Sequence, residues 1–139
     1  MVKIVKSGFF LGEYRHALAD KYRIALPRRI RAEIDGFEVI LSKGFEPCIA
    51  GFDKIQWQTV AKQQIATQFN EDKGRQLRRQ VFSSAVIMEL DGQGRLVLPE
   101  SLVKWAGLSD KLGKEVVVIG AGDHFEIWTE ENWRKYSQF

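Results

Sequence analysis

The sequence is poor in the residue types that build disulfides and metal sites. It contains one cysteine, Cys48, and two histidines, His16 and His124, which are far apart in the chain. A single cysteine cannot form a disulfide within the chain, and this cysteine usage is typical of a reducing cytosol. Because structural zinc usually takes four Cys or His ligands, three scattered candidates argue against a zinc site. We therefore expect no metal and no other cofactor.

Long apolar runs are also missing. No stretch approaches the ~20 consecutive apolar residues of a transmembrane helix. The amino-terminal stretch "MVKIVKSGFFLGEY" lacks the apolar core and the small-residue cleavage site of a signal peptide. Hydrophobic residues make up 45% and charged residues 28% of the 139-residue chain, which is a globular composition. We expect a cytoplasmic protein that has no membrane partner.

The net charge is small, at +3, but it is unevenly distributed. Residues 1–35 contain eight Lys and Arg against four Asp and Glu, whereas the other 104 residues contain 13 against 14. A basic excess of this size permits binding to a polyanion, but it also suits an ordinary solvated surface. Charge alone leaves both interpretations open.

One short stretch of the sequence occurs twice. "HALADKYRIALP" (16–27) and "MELDGQGRLVLP" (88–99) align without gaps at an offset of 72 residues, with an arginine in the middle of each. Each copy indicates a strand, a tight turn, a short return strand and a proline that begins a short helix. The strand before the first turn is predicted to span "FFLGEYRHAL" (9–18), with Phe10, Tyr14 and Leu18 on one face. The second turn contains Gly92 and Gly94, and both can adopt the positive φ that tight turns require.

A second pair of similar segments follows the two copies. "FEVILSKGFEPCIAGFDKIQW" (37–57) resembles "EVVVIGAGDHFEIWTEENW" (115–133) at an offset of 76 residues. The growth of the offset by four residues implies an insertion, most simply within "SDKLGK". Each half is therefore predicted to run β–turn–β–short α–β–β–α, with Asp53 and Thr129 as side-chain caps of the closing helices.

The two halves are predicted to form one body. A unit of ~50 residues with four short strands cannot easily bury a core alone. Two such units can interleave their strands in one small barrel with internal pseudo-twofold symmetry, which gives an α+β, β-rich class with short helices. The expected parts are an N-terminal extension (1–8), a first repeat (9–70), a linking helix (71–82) and a second repeat (83–139).

The paired arginines are the candidate functional residues. Core packing explains the repeated leucines but not Arg23 and Arg95, since each begins the return strand of a tight hairpin. Arginine makes bidentate contacts with phosphate or with O6 and N7 of guanine, and a pseudo-twofold pair of arginines suits a nucleic-acid duplex. Alternatively, each arginine pairs with a carboxylate and braces its own turn, and the spacing of Asp91 and Arg95 is favourable for this. The residues alone leave both roles open.

Four segments carry a family resemblance: "FFLGEYRHAL", "KYRIALP", "ELDGQGRLVLP" and "GAGDHFEIW". They resemble the MraZ family of bacterial transcriptional regulators, which belongs to the AbrB-like group, and the likeness runs from about Phe10 to Tyr136. The resemblance implies a swapped-hairpin (double-split) barrel, a ring-shaped homo-oligomer and a nucleoid-associated protein. It also implies binding of double-stranded DNA at repeated promoter boxes upstream of the division and cell-wall gene cluster, usually as a repressor. Accordingly we expect no catalytic residues and no small-molecule substrate.

The family is marked by an Asp-x-x-x-Arg motif in each repeat, in the loops that contact DNA. The second copy is complete from Asp91 to Arg95, whereas the first has Ala19 in place of Asp91 and Tyr22 in place of Gly94. Because Tyr22 replaces a glycine, we expect the first hairpin to be looser or differently bent. The resemblance implies DNA contact by four residues and positioning of a turn by two. The DNA-contact residues are Arg23, Arg95, Lys21 and Gln93, and the turn-positioning residues are Asp91 and Gly94.

Two rival functions are weaker alternatives. An antitoxin-like module of the AbrB type would bind DNA and neutralise a toxin with a long tail, whereas "YSQF" follows the last predicted helix closely. A small hydrolase would use Asp91 with His16 or His124, but no nucleophile motif or pair of carboxylates stands at a diagnostic spacing. The arginines after the first hairpin suit either contact with the DNA backbone or a solvated face. They are Arg28, Arg29 and Arg31.

Overall fold

Residues 5–66 and 72–139 are described by a computed structural model, and within these ranges the chain forms eight strands and five helices. The first half contains β1 (Glu13–Ala17), β2 (Arg23–Ala25), α1 (Arg28–Arg31), β3 (Glu38–Lys43), β4 (Ile49–Asp53), α2 (Lys54–Ala66) and α3 (Asp72–Ser84). The second half contains β5 (Val86–Glu89), β6 (Arg95–Val97), α4 (Glu100–Trp105), β7 (Glu115–Gly120), β8 (Phe125–Trp128) and α5 (Glu130–Tyr136). The class is α+β and β-rich, and the predicted order of elements in each half is confirmed.

The strands of the two halves pair with each other. A six-stranded antiparallel sheet has the order β1–β7–β8–β4–β3–β5, and a two-stranded sheet joins β2 to β6. Exchanging each strand for its counterpart in the other half leaves both orders unchanged. Two facing residue pairs lie at the centre of this exchange, Ile24 with Leu96 and Ala50 with Glu126. Because β1 and β5 each pair only with a strand of the other half, neither half completes its sheet alone.

Side-chain caps start the closing helices of both halves. The carboxylate of Asp53 accepts a hydrogen bond from the backbone N–H of Gln56 at 2.9 Å. The hydroxyl of Thr129 accepts one from the N–H of Asn132 at 3.0 Å. Each bond satisfies an N–H group that has no partner within the first helical turn. Both caps predicted from the sequence are confirmed.

The first strand is shorter than the sequence pattern predicts. The stretch 9–18 was expected to be extended throughout, but Gly12 has a φ of +99° and breaks the strand there. Phe10 nevertheless rejoins the sheet through an isolated bridge to the loop before β8. Phe10 and Leu18 are buried in the main core cluster and Tyr14 packs against it, so the three predicted inward positions share one face.

The repeated leucines and the centre of the small ribbon form the main core. Four leucines of the repeat are at most 5% exposed, and the two central ribbon residues are at most 1% exposed. These residues are Leu18, Leu26, Leu90, Leu98, Ile24 and Leu96. Burial of each such side chain stabilises the fold by roughly 1.5–3 kcal/mol. These six apolar positions of the repeat therefore belong to the core.

The opposite face of the large sheet is covered by helices. Trp57 of α2 packs edge-on against Phe52 at a ring-centroid distance of 5.2 Å, and Trp133 of α5 packs against Trp128 at 5.8 Å. In the described part of the chain, no helix has the length and apolar character needed to cross a membrane. Residues 1–4 of the predicted extension, 67–70 of the predicted first repeat and 71 of the predicted linking helix lie outside the described residues.

Candidate nucleic-acid interface

The ribbon formed by β2 and β6 presents both predicted arginines on one face. Arg23 faces Val97 and Arg95 faces Ala25, so these four side chains lie on the same side of the antiparallel pair. That side meets solvent, since Val97 is 42% exposed and both arginines are partly exposed. Arg23 and Arg95 are diagonal neighbours across the two strands, a position that separates residues by about 7–8 Å. One strand comes from each half, so neither half can build this face alone.

The second hairpin is held by one carboxylate. Asp91 Oδ1 accepts hydrogen bonds from the backbone N–H groups of Gln93 at 2.8 Å and Arg95 at 3.0 Å, and Oδ2 accepts one from Nε of Arg95 at 2.8 Å. The backbone bond from Arg95 above all, then the bonds from Gln93 and the guanidinium, outweigh desolvation and lower the pKa of Asp91. Gly94 takes a φ of +74°, whereas Gly92 does not adopt a positive φ. Asp91 therefore holds both the turn and the side chain of Arg95.

The first hairpin closes the same length of chain differently. The N–H of Ala19 donates to the carbonyl of Arg23 at 2.8 Å, which matches the bond across the second hairpin. Inside the turn, however, the N–H of Arg23 donates to the carbonyl of Asp20, one residue further along than in the second copy. Lys21 and Tyr22 have φ values of 60° and 55°. This left-handed conformation costs a non-glycine residue roughly 1–2 kcal/mol.

Tyr22 anchors this turn in place of a carboxylate. Its hydroxyl donates a hydrogen bond to the carbonyl of Ser109 at 2.6 Å, and its ring packs against the main core. Leu98 and Val103 line the same side of the molecule beside it. The first hairpin is thus differently bent, as predicted, and is held through a contact with the other half of the chain.

The two hairpins also differ in charge. Arg95 is paired with Asp91, whereas the guanidinium of Arg23 makes no hydrogen bond or ion pair with any described residue. Lys21 and Gln93 are exposed at the tips of the two turns. The first hairpin therefore offers cations that have no local partner, and the second offers one that is already oriented.

The residues considered for hydrolysis are not brought together. His16 Nδ1 lies 2.7 Å from a backbone carbonyl of β2, and His124 lies between Asp123 at 2.7 Å and Glu126 at 2.8 Å. Burial lowers the pKa of His124, but the hydrogen bonds to Glu126 and Asp123 outweigh it and raise the pKa. Within the described ranges, neither histidine is hydrogen-bonded to Asp91, and no group of side chains is placed to hold a metal ion.

Arg31 of α1, a basic residue of the first half, packs against the second hairpin. A Cβ atom built on Gly94 would lie 2.7 Å from Cδ and 2.8 Å from Nη1 of Arg31, so the arginine side chain covers this glycine. At the aligned positions of the other half, the large residue is Tyr22 on the hairpin and the smaller one is Val103 on the helix. A small residue on one hairpin therefore faces a large residue on the helix, and a large residue on the other hairpin faces a small one. The sequence contains both pairs, but they can be recognised as pairs only when each hairpin is known to pack on the helix of the other half.

The hairpins lie within segments that match a known family. The family described as "MraZ protein, putative antitoxin-like" matches residues 9–80 and again residues 81–139. The chain belongs to the MraZ family. This confirms the resemblance, and each of the two MraZ segments contains one of the hairpins, the first with Arg23 and the second with Arg95.

MraZ relatives cover most of the chain. "Transcriptional regulator MraZ" of Roseiflexus sp. (strain RS-1) is 38% identical over 125 residues, which span 90% of this chain and 84% of the relative. The protein of the same name from Syntrophomonas wolfei is 38% identical over 129 residues, which span 93% and 87%. A solved structure, "The solution structure of PHS018 from pyrococcus horikoshii", aligns with a TM-score of 0.37 and 15% identity over 84% of this chain and 95% of that chain.

Proposed function

We propose that this MraZ protein is a DNA-binding transcriptional regulator that contacts duplex DNA with the exposed face of the β2–β6 ribbon. Arg23 and Arg95 make the principal contacts, and Lys21 and Gln93 add contacts from the turn tips. Asp91 and Gly94 keep the second turn in shape. The observation that carries the proposal is the position of the two arginines on one solvent-facing side of a two-stranded ribbon.

The dimensions of such a ribbon support this role. The major groove of B-DNA admits a two-stranded β-ribbon, and arginine forms bidentate contacts with guanine O6 and N7 or with phosphate. In the second hairpin Asp91 engages only Nε of Arg95, which leaves both Nη groups available for a ligand. Arg23 has no partner among the described residues and can turn toward phosphate or base. Two such side chains about 7–8 Å apart reach neighbouring positions on the duplex.

The strand order also supports a more specific architecture. We infer a swapped-hairpin (double-split) barrel with pseudo-twofold symmetry, because β2 pairs with β6 while β1 and β5 exchange partners between the halves. The parts assigned to it are an extension at 1–8, repeats at 9–70 and 83–139, and a linking helix at 71–82. Helix α3 covers most of the proposed linking helix, and the backbone N–H groups of Ser7 and Gly8 donate to Glu33 at 2.9 and 2.7 Å, which attaches the extension to the first repeat.

Assembly into a ring-shaped homo-oligomer belongs to the same proposal. Large apolar side chains at least 60% exposed lie on β5, on α2 and in the loops on either side of β3, and a subunit contact would cover them. They include Phe37, Phe45, Ile55 and Ile87. Such a ring presents several ribbons to successive promoter boxes, so that binding to one box raises the effective concentration at the next. The proposed sites are repeated boxes upstream of the division and cell-wall gene cluster, with repression as the outcome and the nucleoid as the location.

The test is binding to the DNA upstream of the protein's own gene. We expect the parent to shift this duplex and the double variant Arg23→Ala/Arg95→Ala to lose most of the affinity, at one fixed salt concentration. Arg29→Ala serves as the matched control, since Arg29 is an exposed arginine of α1 and is not part of the β2–β6 ribbon. Light scattering checks that all three proteins assemble alike. Parent-like binding by the double variant would end the proposal.

A further inference from the structure

The surface of α1 beside the second hairpin, called here its flank, is basic, whereas the corresponding surface beside the first hairpin is not. The fold packs α1, which follows the first hairpin, against the second hairpin, where Arg31 covers Gly94. Arg28 and Arg31 line an open cleft of about 390 Å³ together with Gly36 and Phe37. The side chain of Arg31 therefore lies along the turn that carries Arg95.

The corresponding flank of the first hairpin has different chemistry. There α4 of the other half supplies Glu100 and Lys104, which form an ion pair at 3.1 Å and contribute no net charge. The space that Arg31 occupies beside Gly94 is filled on this side by the ring of Tyr22, which packs toward Val103. Among the described residues, a pair of cations that form no ion pair thus lies beside the second hairpin but not beside the first.

The cations of this flank are not paired with an acidic side chain of the described residues, and Asp35, next to the cleft residue Gly36, pairs with Lys6 at 3.3 Å. Arg28 and Arg31 are both exposed, and neither forms an ion pair with a described residue. Glu33, the nearest acidic residue along the chain, is buried and accepts hydrogen bonds from the backbone of residues 7 and 8. An open cleft lined by two guanidinium groups with no acidic partner is suited to a phosphate group.

We propose that Arg28 and Arg31 form a phosphate-binding site for the DNA backbone next to the bases that the second hairpin contacts. The inference rests on the proposed function, because it places duplex DNA on the second hairpin. It makes the two hairpins unequal, since the second binds with its own Arg95 and with backbone contacts supplied by the first half of the chain. Phosphate contacts fix the position of a protein on DNA without reading its sequence.

The experiment measures affinity for the upstream duplex and for a random duplex over a range of salt. Arg28→Gln and Arg31→Gln are each expected to weaken binding to both duplexes by the same factor. Each should flatten the slope of log K against log salt by about 0.9, the value for one lost phosphate contact. Arg31→Lys should retain the slope, because it keeps the charge. Arg29→Gln is the matched control on the same helix, and Lys104→Gln is the control at the aligned flank of the first hairpin.

Different results separate this inference from the proposed function. If the arginine-to-glutamine variants at 28 and 31 keep the parent slope, or behave like Arg29→Gln, the phosphate site is wrong even when Arg23→Ala/Arg95→Ala abolishes binding. If Arg31→Gln weakens only the upstream duplex and leaves the slope unchanged, Arg31 acts by shaping the turn over Gly94, and the inference is again wrong. Parent-like binding by the double ribbon variant overturns the proposed function itself.

Discussion

The side chain of Arg95 helps to stabilise its own turn, because it is hydrogen-bonded to Asp91. The turn before Arg23 is instead anchored by the hydrogen bond from Tyr22 to the other half of the chain. In the second hairpin three hydrogen bonds converge on Asp91, all from residues no more than four positions away. In the first, the anchoring bond from Tyr22 reaches Ser109, 87 positions along the chain. The two copies thus keep the arginine in the same place on the ribbon while using local contacts in one case and a distant contact in the other.

This difference has a consequence for binding. A side chain that is already ordered loses less rotamer freedom when it meets its ligand, and that loss is about 0.5–1.5 kcal/mol for a long side chain. Arg95 is ordered by its ion pair at 2.8 Å, but Arg23 has no partner among the described residues. The arginine of the second hairpin is therefore ordered before DNA binds, whereas the arginine of the first is not. The residues beside the second hairpin are also more basic.

The largest expected effect is an inequality between two single variants. Arg95→Ala should weaken DNA binding by about 1–3 kcal/mol, the range for loss of a good bidentate contact. Arg23→Ala should cost less, because part of its contact energy offsets the ordering of a free side chain. Arg95→Ala also leaves the carboxylate of Asp91 unpaired near the phosphates. The measurement is the Kd of each variant for the upstream duplex at one salt concentration.

The variant Asp91→Asn/Arg95→Ala measures how much of the affinity lost in Arg95→Ala comes from repulsion between the unpaired Asp91 carboxylate and the DNA phosphates. Asparagine keeps a side-chain oxygen for the turn N–H groups but has no charge, so this protein should bind more tightly than Arg95→Ala alone. An Arg23→Ala loss equal to or greater than that of Arg95→Ala would remove the basis for ranking the hairpins.

The second prediction concerns the anchor of the first hairpin. Tyr22→Phe removes the hydroxyl that donates to Ser109 and should lower the free energy of unfolding by about 1 kcal/mol, the net value of one such hydrogen bond. Tyr14→Phe is the matched control, because its hydroxyl donates to the nearby carbonyl of Leu11 at 2.9 Å in an exposed loop. Urea unfolding monitored by tryptophan fluorescence gives both values. Equal stability of Tyr22→Phe and the parent would show that the ring alone holds the turn.

Local rules account for what the sequence predicts correctly. The order of strands and helices, the caps at Asp53 and Thr129, and the inward-facing leucines all follow from turn residues, helix-cap chemistry and apolar spacing over a few residues. The bracing of Arg95 by Asp91 also follows from spacing, since the two residues are four apart across a tight turn.

Contacts between distant parts of the chain are what local rules miss. The bond from Tyr22 to Ser109 and the packing of Arg31 on Gly94 both depend on the exchange of partners between the halves. Neither contact has a signal within its own segment. The shortened first strand has a different cause, because a single glycine at position 12 takes a positive φ where the apolar pattern continues.

The smallest expected effect comes from Ala19→Asp, which restores the missing aspartate of the first motif. In the second hairpin the carboxylate of Asp91 takes its backbone donors from Gln93 and Arg95. The aligned donors in the first hairpin are the N–H groups of residues 21 and 23. The turn bond there is displaced by one residue, so the N–H of residue 23 already donates to the carbonyl of residue 20. A new carboxylate at position 19 therefore finds one of its two backbone donors occupied.

What remains for that carboxylate is an exposed ion pair with Arg23, and exposed pairs contribute about 0–1 kcal/mol. We expect Ala19→Asp to change the free energy of unfolding by less than about 0.5 kcal/mol, as is usual for surface substitutions. DNA affinity should change less than it does in Asp91→Ala, which loses all three hydrogen bonds to the carboxylate. Kd values for both variants at the same salt concentration make the comparison. If Ala19→Asp tightens binding as much as Asp91→Ala weakens it, the first turn can adopt the geometry of the second, and the displaced turn bond and the tyrosine anchor do not determine its shape.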